Sequence, residues 1–577
     1  MLNLKRINSI DNKIKQNLID NGYNEMIINL LINRGYDEEL ITALLSTGYS
    51  EEMPRYNDLV NVEIGADIIE SHIANGSNIF IYGDYDSDGI NSTYILGDAI
   101  NHIIYYTESD AQLSLKVPER HEGYGLNMDW CKKIVAENQG EDVLVITVDN
   151  GIAQDKEVAF LLENDIDVLI TDHHTPNGHT PERVWIIDAH YNDDNENNKG
   201  LCGAAVAFKL AMTLLDRYDC IENKDDYYCR YLVNVAIATI TDSMPMTIEN
   251  IKYVYNGIQS LKDGYGSEAV TYYRDYKKNT DITPTDIAFN LGPQINACGR
   301  MNNTALALNY LFSDETDVED LYNEVVAIND ERKSKTEKSI DKAEKALDIN
   351  SPSIILELDN VEGIAGIIAS NLSNKYNKCT IIFSKDSTGK YLIGSARSDG
   401  QIDLLSLLRN IDNNSVVKVG GHSAACGITI KTTGLKSFIA AVNKAIMDLP
   451  IEEVEEQDMQ IVVDDFITIE DINKDNCEAL KNLYFFTDSK PIFALTNLKV
   501  VNVGYSKNNS NNLKLTVIDA NGNTGVYWGW KKSSIYHQLN NPKDITLVGY
   551  IEYDFRDNKT PTFNILNIIP MEMINIC

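Results

Sequence analysis

Three aspartates crowd into the seven residues Gly83-Asp84-Tyr85-Asp86-Ser87-Asp88-Gly89, with no lysine or arginine beside them. Two like charges ~4 Å apart repel by about 1 kcal/mol in water and by ~4 kcal/mol at an effective dielectric of 20. Packed at the end of a strand, such a cluster needs a cation. The motif opens as a calcium-binding EF-hand loop does. That loop requires a bidentate glutamate at its twelfth position, and here the position is Ile95, with an apolar run rather than a helix in front. Taken alone, the motif fits a solvated acidic turn nearly as well as a metal site.

The next signals break the tie. Val148-Asp149-Asn150-Gly151 supplies another carboxylate beside a glycine that permits close backbone approach. Thr171-Asp172-His173-His174 then adds paired imidazoles in a chain with 9 histidines in all. Carboxylates mixed with imidazole suit Mn²⁺ or Mg²⁺, and less often zinc. A lone histidine is more often structural, but two after an aspartate in a loop favour ligation. Asp242, after the apolar run that ends at Thr241, is a further candidate that would be unremarkable by itself.

These carboxylates need elements to position them. Ile79–Tyr82 leads to Asp84, Val143–Val148 to Asp149, Val168–Ile170 to Asp172, and Trp185–Ile187 to Asp188. Helix-like stretches intervene, such as 156–164 with Val158, Leu161 and Leu162 on one side. Strands alternating with helices predict βαβ units in a doubly wound parallel sheet. Ligands gather at the carboxyl ends of such strands, so the four strand-end aspartates are expected to face one crevice.

The rest of the chain reads as further domains. Short apolar clusters before residue ~55 suggest a small helical cap. Residues 316–348 have the pattern of one long amphipathic helix, with Thr316 and Glu319 as a capping box and Val318, Leu321, Val325 and Ile328 on one face. A second α/β segment follows over 351–448, and the acidic stretch Glu452–Asp458 reads as a solvated linker. Beyond it, short strands around the Asn521-Gly522 turn suggest a small β-barrel.

Composition sets the outer limits. The 577 residues are 43% hydrophobic and 24% charged, a globular balance for roughly three to four domains. No apolar run approaches the ~18 residues that cross a bilayer, and the first residues carry no visible secretory signal. The 9 cysteines form no CxxC pair, so they are expected as buried small hydrophobes in a reducing cytoplasm. Acids outnumber bases 86 to 50, a net charge of -36. Such a surface repels polyanions, so a nucleic-acid partner would need a local basic lining or bound cations.

The series GDYDSDG, VDNG, TDHH and TITDSMP resembles the DHH phosphoesterase superfamily, and specifically its RecJ-type single-strand exonucleases. VPERHEGYGLN (117–127), LCGAAVAFKLA (201–211), LGPQINACGRM (291–301), VEGIAGIIASNL (361–372), GSARS (394–398) and GGHSAACGITI (420–430) follow in the family's order, and KPIFAL (490–495) resembles the start of its OB-fold domain. The resemblance implies an N-terminal cap over 1–60, a DHH catalytic domain over 61–315, a connecting helix over 316–350, a DHH-associated substrate-binding domain over 351–448 and an OB-fold over 449–577. It implies two Mn²⁺ or Mg²⁺ ions held by Asp84, Asp86, Asp88, Asp149, His173 and Asp242, with Asp172 and His174 orienting the site.

Arg120, Arg300, Ser395 and Arg397 become candidates for gripping phosphates, and Gly420, Gly421 and His422 for a backbone-and-imidazole cradle. For an arginine outside such motifs, an ordinary salt bridge is the better reading. Tyr527, Trp528 and Trp530 beside Lys531 and Lys532 could stack a single strand or form barrel core, and both readings stand. Lys507 and Lys514 would extend a narrow positive path.

The activity implied is 5′→3′ hydrolysis of single-stranded DNA in repair and recombination, by a cytoplasmic monomer cooperating with a helicase and a single-strand-binding protein. The rivals are a DHH phosphoesterase for short oligonucleotides or cyclic dinucleotides, and an inactive replication scaffold. Three positions depart from the family pattern: Gln294 where arginine is usual, Val361 where histidine is frequent, and Asp188-Ala189-His190 where Asn-Pro tends to occur. Asp188 therefore stays outside the ligand set.

Overall fold

The computed structural model describes residues 2–6, 12–45, 53–176, 178–191, 194, 196–277, 282–386, 388–398, 402–411, 413–449, 460–483, 490–506, 511–554, 557 and 559–576. The expected linker Glu452–Asp458 and Lys507 lie outside them. The chain divides into two units, one of Pro54–Met244 with Asn256–Ile451, the other of Met1–Met53, Pro245–Tyr255 and Glu452–Cys577.

The larger unit is built first on five parallel strands, β1 (Asn78–Tyr82), β2 (Gln112–Lys116), β3 (Val143–Val148), β4 (Asp167–Thr171) and β5 (Trp185–Ile187), in the order β2-β1-β3-β4-β5. All six residues of β3 are buried, as expected of a strand covered on both faces. The chain leaves β1 in one direction to form β2 and returns in the other to form β3. That reversal makes the gap between β1 and β3 the topological switch point, where doubly wound sheets bind ligands. The register sets Tyr82 opposite Thr147, Val148 opposite Thr171, and Thr171 opposite Ile187. Asp84, Asp149, Asp172 and Asp188 consequently follow strands that end level with one another.

Three helices behind the sheet matter to the site: α1 (Ser87–Thr107), α2 (Gly203–Asp216) and α3 (Lys224–Thr241). α2 is buried almost all round, the pattern of a helix enclosed by others. α4 (Gly292–Arg300) precedes the long α5 (Val318–Ala346). The expected capping box does not form. The Asp314 carboxylate accepts both the Thr316 amide and its hydroxyl, so the threonine is held in an aspartate-centred turn and the helix begins two residues later.

The second sheet of this unit has β6 (Ile354–Glu357), β7 (Thr380–Lys385), β8 (Tyr391–Arg397), β9 (Val416–Gly421) and β10 (Ala425–Lys431), ordered β9-β10-β8-β7-β6. β6 and β7 run parallel and the other pairs antiparallel. Phe383 and Phe438 meet edge to face in its core, ring centroids 5.7 Å apart.

The smaller unit contains a closed five-stranded barrel: Phe493–Tyr505, Leu513–Ile518, Thr524–Gly529, Pro561–Pro570 and Asp544–Tyr553, the last pairing back to the first. Helices Asn12–Asp20, Glu25–Asn33 and Glu38–Leu45 match the expected helical N-terminus, but the chain opens with a strand, Leu2–Arg6, paired in parallel to Gln460–Val463 and Ile574–Ile576. Five residues of mixed polarity gave no periodic signal, and their pairing partners are more than 450 positions away. Arg34 pairs with Asp464 at 2.6 Å, joining the N-terminal helices to this unit. Among the described residues all cysteines are free and most are buried.

Candidate metal centre

The carboxylates reach the crevice by different local devices. Asp86 is the N-cap of α1, its Oδ1 accepting the amides of Asp88 (3.0 Å) and Gly89 (3.2 Å). This places the helix start within the acidic cluster, with Asp88 in the first turn, a strand-to-helix turn and not an EF-hand. A Cβ on Gly89 would lie 2.4–2.6 Å from the backbone of Asp84, so only glycine lets the helix approach that strand end. Asp88 turns inward and spans the N-terminus of α2, its Oδ2 and Oδ1 accepting the amides of Gly203 and Ala204, each at 2.7 Å. Asp149 follows β3 with φ 61°, a left-handed backbone that turns its side chain into the crevice.

His173 connects them. Its Nε2 lies 3.1 Å from Asp149 Oδ1, 3.5 Å from Asp88 Oδ2 and 3.9 Å from Asp242 Oδ2. Three overlapping groups each place one ligand atom per residue within 4.8 Å: Asp84, Asp86 and Asp149; Asp88, His173 and Asp242; Asp149, His173 and His174. The structure thus gathers every residue proposed as a ligand, from four separate chain segments.

The protonation preferences fit a cation. Burial, followed by the charge of Asp86, holds the Asp84 carboxyl well above the ordinary range. Burial and then Asp88, Asp86, Asp84 and Asp172 do the same to Asp149. Asp88 is raised by burial although His173 opposes it, and burial with Asp88 and Asp86 lifts Asp242 to about 8. Asp84 Oδ1 is buried without a hydrogen-bond partner among the described residues. Burial keeps the His173 imidazole below its usual value, so it is neutral and able to ligate. These residues fit two divalent ions: oxygen-rich, with one neutral imidazole, and frustrated when empty.

Asp172 is different. Burial would raise its carboxyl, but the hydrogen bond and charge of His174, the charge of His173 and the Ile152 amide together hold it low. Its Oδ1 accepts the His174 Nδ1 proton at 2.8 Å and the amides of His173 and His174, while Oδ2 accepts the Ile152 amide. Burial works against a charged His174, yet the hydrogen bond and charge of Asp172 raise it to about 9. Tyr124 Oη lies 3.2 Å from its ring. Asp188 is also buried at its strand end, lifted to about 7 by burial and by Asp172.

The arginines form a second cluster. Burial, then the charges of Arg120, Arg332 and Arg397, depress Arg300 to about 10. No carboxylate oxygen lies within 4.0 Å of any of these four guanidinium groups among the described residues. Arg120 lies over the Tyr85 ring at 4.1 Å and leaves its buried Nε without a hydrogen bond. Arg300 donates to Gly363 O at 3.2 Å. In a chain of net charge -36, four arginines gathered without a carboxylate partner have the chemistry to hold an anion. Arg332, on α5, escaped the sequence reading. Its helical pattern gave only a polar face, and its position depends on how α5 packs.

On the second sheet, Ser395 is opposite Gly427 and Gly427 opposite Gly420, while Arg397 is opposite Ala425. Ser395, Arg397, Gly420 and Gly421 therefore sit at neighbouring strand ends, and exposed His422 follows them. In the barrel, Tyr527 points inward against Phe563. Trp528 and Trp530 stack on the outer side, centroids 5.6 Å apart and 11° from parallel, with Lys514 Nζ 5.5 Å from the Trp528 ring. Alternation along the strand divides the aromatics between the two readings. Lys531 is exposed at the strand's end.

A Cβ on Gly203 would lie 2.7 Å from Asp149 Cβ and 2.8 Å from its Oδ1. Gly203→Ala is expected to displace that carboxylate and reduce hydrolysis of a nucleic-acid strand on the order of 10²-fold, with circular dichroism unchanged. Full turnover in the variant would place Asp149 outside the reaction.

The DHH family, N-terminal domain, matches residues 78–239; the DHHA1 domain matches 351–448; and the RecJ OB domain matches 463–567. The single-stranded-DNA-specific exonuclease RecJ of Haemophilus influenzae is 26% identical over 452 residues, 74% of this chain and 76% of that protein. The Bacillus subtilis protein of the same name is 27% identical over 521 residues, 87% of this chain and 62% of that protein. The crystal structure of RecJ in complex with Mn²⁺ from Thermus thermophilus matches with a TM-score of 0.74 and 19% identity, over 98% of this chain and 79% of that one. With these three domains in this order, the chain belongs to the RecJ family of DHH phosphoesterases.

Proposed function

We propose that this chain is a metal-dependent exodeoxyribonuclease that hydrolyses single-stranded DNA from its 5′ end, in DNA repair and recombination. The observation that carries the reading is the convergence of five aspartates and His173 on one crevice. The arginine cluster, electrostatically coupled to the crevice through Asp86 and Arg300, supports it. Two Mn²⁺ or Mg²⁺ ions bound there would supply a hydroxide nucleophile at neutral pH and neutralise charge on the phosphate.

In this reading Asp84, Asp86, Asp88, Asp149, His173 and Asp242 hold the ions. Asp172 fixes the orientation of the His174 ring and keeps the imidazolium charged, so His174 can donate to a phosphate oxygen. Arg120, Arg300 and Arg397 hold the adjoining phosphates by their planar forks, with Ser395, the Gly420–Gly421 backbone and His422 completing the grip. Trp528 offers a stacking face for bases and Lys531 a backbone contact. The five-part division at residues 60, 315, 350 and 448 follows these roles. The enzyme would act as a cytoplasmic monomer on strands opened by a helicase and coated by a single-strand-binding protein. Among the described residues no helix is long and apolar enough to cross a membrane.

The test uses 5′-labelled and 3′-labelled single strands of equal length with Mn²⁺, with Mg²⁺ and with chelator. Mononucleotides should appear at once from the 5′ label and late from the 3′ label, and chelator should stop both. Equal rates from short and long strands would favour the oligonucleotide phosphoesterase instead.

A further inference from the structure

A second set of metal-ligating side chains lies at the opposite ends of the same strands. His72 is in the last turn of the helix Val62–Asn75, Asp142 immediately precedes β3, and Asp167 begins β4. One ligand atom from each lies within 4.8 Å of the others. β3 has six residues, and at ~3.3 Å per residue the two ends of the sheet are separated by roughly 17–20 Å. This cluster is no part of the catalytic crevice.

The protons in the cluster can be counted. Ser77 has one hydroxyl proton and gives it to Asp142 Oδ2, at 2.6 Å. His72 Nδ1 lies 3.0 Å from the same Ser77 oxygen, so Nδ1 is the donor in that contact. The other nitrogen, Nε2, faces the second carboxylate and lies 3.3 Å from Asp167 Oδ2. The imidazole is more than nine-tenths buried, while the Asp142 and Asp167 side chains are 51% and 69% exposed.

Two carboxylates beside one imidazole repel each other unless a positive charge lies among them. Two atoms each ~2.1 Å from one ion, at a tetrahedral angle, are ~3.4 Å apart. The observed 3.3 Å is that separation. The Nδ1–Ser77–Asp142 chain also has the form of the outer hydrogen bonds that fix the tautomer of a metal-bound histidine.

We propose that His72 Nε2, Asp167 and Asp142 bind a third divalent ion, of the zinc type, that ties the end of the Val62–Asn75 helix to the starts of β3 and β4. One imidazole with two carboxylates suits zinc, and the exposed side leaves a position for water. Its distance from the crevice makes it a structural ion, contributing stability by mass action to the folded state that assembles it.

The experiment is equilibrium dialysis of the full, chelator-stripped chain against Zn²⁺, followed by Co²⁺ absorption spectroscopy. Wild type is expected to bind one more ion than His72→Gln, and to show a visible Co²⁺ band that the variant lacks. Asp167→Asn, at an exposed carboxylate, serves as the second variant and should lower the affinity of that ion by 10-fold or more without disturbing the fold. Mn²⁺-dependent hydrolysis should persist in both variants, which separates this site from the crevice. Equal zinc stoichiometry in wild type and both variants would overturn the proposal and leave the cluster as a protonated histidine paired with two aspartates.

Discussion

Asp149→Ala should lower hydrolysis of a 5′-labelled single strand by more than about 10³-fold. Asp149 belongs to two of the three candidate ligand groups at the crevice and lies 3.1 Å from His173. Its loss therefore disturbs both ion positions, and groups that act as a unit fail together when one is removed. Asp172→Asn makes a useful contrast. It leaves the ligands in place and removes the charge behind His174, so a loss on the order of 10–100-fold is expected. If the two variants lose equally little, the crevice is not where phosphodiesters are cut.

Neutralising the same carboxylate should stabilise the chelated protein. In the folded state burial and four neighbouring carboxylates hold Asp149 well above its ordinary range. A raised carboxyl costs nothing below its unfolded value, near pH ~3.9. The cost grows as pH rises toward the folded value. With chelator, Asp149→Asn is thus expected to melt above wild type by a margin that is absent near pH 4 and wide near pH 8. With saturating Mn²⁺ the order reverses, because only wild type gains fully from ion binding. A wild type that melts identically with and without metal at pH 8 would mean that no ion relieves the cluster.

How much of this was legible beforehand follows from the range of the signals. The doubly wound sheet could be read because each strand and the aspartate after it are contiguous, and parallel register then aligns the strand ends without further information. Asp242 stands out in the sequence only as a carboxylate after an apolar run, and its place in the ligand set rests on the family resemblance, since it ends a helix and no periodicity distinguishes it. Arg332 was missed for a related reason. Its neighbours Arg120, Arg300 and Arg397 come from three other segments, and sequence spacing does not encode that meeting. The capping box at Thr316 failed because Asp314, two residues earlier, competes for the same hydroxyl. The aromatics of the barrel could be divided only once the register placed Tyr527 inward and Trp528 outward.

Arg300→Ala should have the second large effect, a fall of about 10²–10³-fold in kcat/KM on single-stranded DNA, the usual cost of removing one donor to a developing anion. The guanidinium is pressed by burial and by three other arginines down to about 10, and remains charged at neutral pH. Such crowding is unfavourable in the free protein and would be relieved by phosphate oxygens bound among the four groups. Binding measured across salt should then show a log–log slope smaller by ~0.7 in the variant, the share of one phosphate contact on a single strand. Arg300→Lys restores the charge but not the fork, so it should recover the salt slope while leaving most of the kcat/KM deficit. The competing role is structural, because Arg300 also donates to Gly363 O. A structural arginine would lower the melting temperature in both variants and leave the slope unchanged, whereas a phosphate ligand relieved of like-charge crowding would leave the melting temperature level or higher.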